Sequence, residues 1–242
     1  MPRVTRAWRW TLAIFLFAVG MGLCGYGVAD YLRSTPPDVN FVAGHKPGSP
    51  IHITVQTVGE IGYGLHPLWV SYLVKAPDGK WVHSTSWQVP PHTKIILTNE
   101  EFDGTAAPLR NAVWGKVTGV IGNVEYVDGK AHHAIFSSDN YGHVAHTFTV
   151  PALGINVPWK GLSDAKHEEP NCDRAPCSLR YHHLIDRVSF MTGAPGQFHW
   201  QCLIPCAAGY FDGNGGPMQT LGYMGGFLKV QPTKNQSLGV GQ

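Results

Sequence analysis

From Trp10 to Ala29 the chain runs 20 residues without a charge (WTLAIFLFAVGMGLCGYGVA). A stretch of that length crosses the apolar layer of a bilayer as a helix. Arg3, Arg6 and Arg9 precede it, which by the positive-inside rule places residues 1–9 in the cytoplasm and the chain beyond Tyr31 outside. Trp8, Trp10, Tyr26 and Tyr31 fall where interfacial aromatics belong. Two readings stay open: an uncleaved anchor, or a signal peptide cut after Gly27-Val28-Ala29. The run is longer than a usual signal core, which favours the anchor, and both readings export the remainder. Leu23 stands before Cys24 where a lipoprotein signal needs a small residue, so Cys24 reads as part of the apolar span.

The exported part is charge-poor. Charged residues make up 14% of the 242-residue chain, against about a quarter in an average domain. Setting aside the four arginines before residue 34 and Asp30 leaves 14 basic against 15 acidic side chains. A near-neutral domain lacks the electrostatic footprint of a nucleic-acid binder. Twenty-nine Gly and 18 Pro, spread between β-branched and aromatic runs, predict short strands joined by turns rather than a helix bundle. Residues 34–50 (STPPDVNFVAGHKPGSP) read as a linker. Strands are then expected at Ile51–Val58, Leu68–Lys75, Trp81–Val89, Lys94–Asn99, Val113–Val120, Val124–Val127, Ala131–Ser137, His146–Val150, Arg187–Met191, Gln197–Cys202 and Gly226–Val230, with a hairpin turn at Ala76-Pro77-Asp78-Gly79. The pattern is an all-β, Greek-key sandwich with long loop insertions over 51–232, followed by a polar tail, 233–242.

Export also decides how the cysteines read. Cys172 and Cys177 lie in a polar, Pro-containing stretch and are expected to pair as a local disulfide. The alternative, zinc held by all four of Cys172, Cys177, Cys202 and Cys206, has looser spacing than structural zinc sites use. The sequence has no G-x-S-x-G elbow, no H-E-x-x-H and no Gly-rich loop between a strand and a helix, so hydrolase, zinc-protease and phosphate-cradle chemistry find no support.

Three segments carry a resemblance: His146-Thr-Phe-Thr-Val-Pro-Ala-Leu-Gly-Ile155, Arg187-Val-Ser-Phe-Met-Thr-Gly-Ala-Pro-Gly-Gln-Phe-His-Trp-Gln-Cys202, and Cys202-Leu-Ile-Pro-Cys206 followed by Gly222-Tyr-Met224-Gly-Gly-Phe-Leu-Lys-Val230. Over roughly residues 139–230 the chain resembles the cupredoxin superfamily, most of all the copper-binding domain of cytochrome c oxidase subunit II. The resemblance implies a metal site of His146, Cys202, Cys206 and Met224, with copper as cofactor and electron transfer as function. It also implies a place in the membrane beside other subunits of a respiratory complex. Soft thiolates, a thioether and an imidazole suit copper.

The chain departs from the family at several points. Ile204 stands where the family supplies a backbone carbonyl beside an acidic side chain, and no histidine follows His199. Tyr210 or Leu221 falls at the second histidine's place, depending on where the gap is set. His199, three residues before Cys202, should face the other side of its strand. Met218 and His143 stand as substitutes. The family also has two membrane helices where this chain has one. A site short of one imidazole should favour Cu(I). The competing reading is a metal-free accessory domain in which Cys202 and Cys206 are oxidised, Met224 and Met218 fill core space, and His146 is a satisfied polar residue. The pairs His132-His133 and His182-His183 are expected on solvated loops.

Overall fold

A computed structural model describes residues 6–34, 36–59, 61–62, 66–104, 111–135, 144–162, 172, 174–204, 206, 216–218 and 220–232. The chain divides into two compact units, Met1–Thr35 and Pro36–Gln242. The first is one helix, α1 (Arg6–Ser34). Within it Trp8–Ala29 is long and apolar enough to cross a membrane, a test that a signal sequence also passes. Its apolar side chains are exposed all round, Trp10, Phe15, Leu16, Phe17 and Leu23 among them. A helix apolar on every face matches a lipid environment.

The second unit is a β-sandwich of strands β1 (Asp38–Asn40), β2 (Ile51–Val58), β3 (Ser71–Lys75), β4 (Trp81–His83), β5 (Ser86–Val89), β6 (Lys94–Glu101), β7 (Glu125–Val127), β8 (Lys130–His132), β9 (Val144–Val150), β10 (Ile155–Lys160), β11 (Leu184–Met191), β12 (Gly196–Gln201) and β13 (Gly225–Val230). One sheet has the order β1-β5-β13-β12-β9-β10 and the other β4-β3-β2-β6-β11-β7-β8. Both are mixed: β2 runs parallel to β6, and β5 runs parallel to β1 and β13. Alternation fills the space between them. Ile95 and Leu97 of β6, and Val188 and Phe190 of β11, point inward against Trp87, Phe148 and Trp200. The three large rings last named meet at centroid distances of 5.2–5.9 Å, within the range where aromatic pairs add to area burial.

Several expected elements shift for identifiable reasons. The run Trp81–Val89 is two strands in different sheets. The chain crosses over at Ser84-Thr85, where Ser84 Oγ accepts from the Ser86 N–H and donates to the Pro37 carbonyl. Val113–Val120 is not a strand. Asn111 caps a 3-10 turn at Ala112–Gly115, and Gly119 at φ +71 packs its backbone against Gly154, which leaves only isolated bridges from Lys116 and Thr118. The stretch 34–50, read as a linker, supplies β1. Asp38 there accepts from Lys229 Nζ at 2.7 and 2.8 Å, Ser86 Oγ and Gln88 Nε2. β10 was hidden by Pro158, which an edge strand tolerates and β10 is one. The hairpin at Ala76–Gly79 closes as expected, with Gly79 at φ +85 donating to Ala76. The tail 233–242 lies outside the described residues.

Cys172 and Cys177 are bonded, with Cα atoms 5.8 Å apart. Their segment packs on a second small core of Val58, Ile61, Leu73, Phe102 and Tyr223. Buried Gln56 of β2 clamps it: Nε2 donates to the Cys177 carbonyl at 2.9 Å and Oε1 accepts the Cys177 N–H at 2.8 Å.

Gly226 of β13 faces the Thr85 carbonyl so closely that a Cβ would collide with it. That carbonyl also accepts Trp200 Nε1–H at 3.0 Å and the Phe227 N–H at 2.9 Å. Gly226→Ala should therefore force β13 away from the crossover and cost about 3 kcal/mol, read as a lowered thermal midpoint. A midpoint within a degree or two of wild type would show that the junction yields.

Candidate metal centre

One end of the sandwich brings together residues far apart in sequence. β9 carries His146, 1% exposed; the end of β12 runs into Cys202, 2% exposed; and Met224, fully buried, immediately precedes β13. β9 is disturbed at this point. His146 pairs with Trp159, the next pairing is Val144 with Lys160, and Ala145 bulges out. Bulges of this kind re-aim a neighbouring side chain. The Cys202 N–H donates to the Met224 carbonyl at 2.8 Å and the Leu203 N–H to Thr147 Oγ1 at 2.8 Å, so two bonds to neighbouring segments fix the start of the loop between the cysteines.

The ligating atoms of His146, Cys202 and Cys206 lie within 4.8 Å of one another. His146 Nδ1 is 3.1 Å from Cys206 Sγ, and the two sulfurs are 3.3 Å apart. The Ile204 carbonyl faces both, 3.2 Å from Cys206 Sγ and 3.7 Å from Cys202 Sγ. The loop thus offers a backbone oxygen although Ile204 carries no acid. Behind the imidazole, Nε2 meets Asp103 Oδ2 at 3.1 Å and Glu101 Oε1 at 3.9 Å. A carboxylate behind a histidine fixes its tautomer and strengthens it as a ligand, and here it turns Nδ1 toward the sulfurs.

The charges are strongly coupled. Burial opposes ionisation of Cys202, but the hydrogen bond from Cys206, the His146 charge and the Thr147 N–H at 3.3 Å outweigh it and hold this thiol well below its ordinary range. Burial, the adjacent Cys202 sulfur and then the Asp103 and Glu101 charges push Cys206 well above it. Burial also opposes a charged His146, yet Glu101 and Asp103 hold it protonated to well above the usual value. Glu101 is raised to about 7 by burial, against the charge of His146 and donors from Thr57 and Asp103. Without a metal these surroundings favour the thiolate at Cys202, the thiol at Cys206 and the charged imidazole at His146.

Of the residues expected at the site, His146, Cys202 and Cys206 converge, and Met224 adjoins Cys202 through its backbone. Met218 packs half-buried against the same core, and the Pro217 carbonyl before it accepts the Met224 N–H at 3.1 Å. Leu221 is half-buried. His143 and Tyr210 lie outside the described residues. His199 is exposed and stacks edgewise on Phe227 at 5.5 Å, on the face that alternation assigns it. His132-His133 and His182-His183 are exposed or half-buried away from the cluster. Asp103 and Glu101 went unnoticed in the sequence. Their trace is the alternation Ile95-x-Leu97-x-Asn99-x-Glu101, which carries acid into inward positions of a core strand. Two sulfurs, an imidazole nitrogen and a nearby thioether residue form a soft donor set that fits a copper ion.

No protein-family model matches this chain, and no curated protein matches it either. Among solved structures it is similar to the copper protein rusticyanin, with a TM-score of 0.32 and 13% identity over 84% of this chain and 91% of that one. Against reduced rusticyanin determined by NMR the TM-score is 0.29, with 14% identity over 84% and 90% of the two chains.

The coupling is measurable in reduced, metal-free protein. The thiolate absorbance of Cys202 should persist far below the pH range of an ordinary thiol, and His146→Gln should move its titration upward. A titration in the ordinary range that the substitution leaves unmoved would contradict the ion pair.

Proposed function

We propose that this chain is a membrane-anchored, extracytoplasmic copper protein that passes single electrons, as a component similar to a respiratory oxidase subunit II. The observation that carries the reading is the convergence of His146 Nδ1 and the Cys202 and Cys206 sulfurs at the buried end of the sandwich. His146, Cys202 and Cys206 would hold the ion, and Met224, just before β13, would complete the site. Bound copper supplies a one-electron couple. The protein keeps its ligands nearly still between oxidation states: the Thr147 N–H donates to Cys202 Sγ, the Met224 carbonyl accepts the Cys202 N–H, and the Asp103 carboxylate braces His146 Nε2. Preorganisation of that kind removes the cost of ordering ligands as charge changes. Two thiolates and one imidazole favour Cu(I), so the oxidised form should show weak or shifted visible bands rather than a full CuA spectrum.

A second reading has its own observation. The two sulfurs stand 3.3 Å apart, and the described residues offer only one imidazole beside them. An accessory domain with Cys202 and Cys206 oxidised to a disulfide would use the same geometry, and oxidising surroundings favour it.

Metal analysis separates the two. Freshly reduced full-length protein should take up copper. Cys202→Ser should abolish uptake, His146→Ala should weaken it more than Met224→Leu, and Asp103→Asn should weaken it by about 10- to 100-fold. Absence of uptake together with a native Cys202–Cys206 disulfide would leave the accessory reading standing.

The anchor is tested separately. Alkaline washing of membranes should leave the full-length chain in the pellet, whereas a soluble form beginning near Asp30 would identify α1 as a cleaved signal.

A further inference from the structure

Three carboxyl groups share the inner face of the second sheet, one on each of three adjacent strands: Glu101 on β6, Asp186 on β11 and Glu125 on β7. Each residue is 0% exposed. Glu101 is well served, accepting from Thr57 Oγ1, Asn99 Nδ2 and the Asp103 N–H. Glu125 and Asp186 are not. All four of their carboxyl oxygens are buried without a hydrogen-bond partner among the described residues. An ionised carboxylate in that position costs several kcal/mol, and buried polar atoms of native proteins are nearly always satisfied.

A cation or a proton would remove the cost. Among the described residues only His146, Cys202 and Cys206 draw three ligating groups close enough for an ion, so the three carboxyls do not gather round one. The groups facing the pair are mostly unfavourable to negative charge. Glu101 faces it from β6 and Asp128 from the turn after β7, while Lys160 on β10 is the attracting cation. His132, across from Glu125 on β8, is kept from charging by burial and by Lys160 and Lys130. Burial first, then the neighbouring carboxylates, push both acids well above the ordinary carboxyl range.

We propose that Glu125 and Asp186 form a buried proton-binding pair that releases a proton when the metal centre beside it gains positive charge. The second half rests on the copper reading above; the first does not. Glu101 lies beside both, 3.9 Å from His146 Nε2 and in electrostatic contact with the pair. In the step, one electron leaves the centre for a one-electron acceptor and raises the centre's charge by one. The O–H bond of one carboxylic acid breaks, its proton passes to water, and the carboxylate left behind carries the balancing charge. Reduction by a one-electron donor reverses both.

Infrared spectroscopy of the full chain tests the pair directly. At neutral pH the carbonyl band of un-ionised carboxyl groups should be present in metal-free protein, shrink in Glu125→Gln and in Asp186→Asn, and in the double variant fall to the share that Glu101, raised to about 7, contributes. If wild type lacks the band, or the variants leave it intact, the pair is overturned whatever becomes of copper. Should a variant fail to fold, the wild-type band alone decides, by its persistence where Glu101 has already ionised. In copper-loaded protein the midpoint potential should fall as pH rises, by up to about 59 mV per tenfold change in proton activity at full coupling, and the double variant should keep only the shallower fall that Glu101 supplies. A pH-independent wild type, or a slope that the double variant leaves unchanged, overturns the coupling. Failure of the protein to take up copper would instead strike at the functional reading and leave the infrared result untouched.

Discussion

Thr85 is the point on which the end of the sandwich turns. It sits where the chain leaves one sheet for the other, and its carbonyl accepts both the Trp200 indole and the Phe227 amide. Its hydroxyl accepts the Gly222 N–H at 2.9 Å. Trp200 stands two residues before Cys202, and Gly222 two before Met224. A single residue therefore sets the height of β12, the entry to β13 and the loop that returns to the site. Only glycine at 226 lets the backbones come this close, which is the use to which a side-chain-free position is best put.

Around that frame the site is built as an electrostatic balance. The carboxylates of Asp103 and Glu101 favour a charged imidazole, and the imidazole in turn favours the Cys202 thiolate. Glu101, His146 and Cys202 are buried and only Asp103 reaches partly to solvent, so each depends on the others for its state. A soft cation held there would replace the proton on the imidazole and that on the second thiol. It would leave the carboxylates in place as the outer brace. The same acids that stabilise the empty arrangement are thus positioned to orient the filled one.

Strand content was legible wherever one face alternated cleanly. Ile51–Val58 matches its expected bounds, and Arg187–Met191 and Gly226–Val230 lie within longer strands. What escaped depended on contacts across the fold. Nothing local at Ser84-Thr85 says that the chain changes sheets, since the residues on both sides favour strands equally. Asp38-Val39-Asn40 reads as loop until Lys229, nearly the whole chain away, supplies its partner. The candidate ligands were readable because H-T-F-T-V-P and C-x3-C are local motifs. Their outer supports were not, because Glu101 ends β6 and Asp103 follows it, far from those motifs in sequence. Glu125 and Asp186 were equally silent, each an ordinary acid in a strand until the sandwich closes over it.

The clamp that Gln56 places on the Cys177 backbone bears on how the four cysteines of the domain are sorted. Four thiols admit three pairings, and oxidation alone does not choose among them. Here Cys202 is walled into the main core, while Cys172 and Cys177 are gathered into the satellite core beneath their loop. The glutamine amide and the packing of Ala175 hold that loop against β2 without help from sulfur. The packing of the folded domain therefore sets Cys172 beside Cys177 and apart from Cys202, so the pairing agrees with the fold rather than with the mere number of thiols.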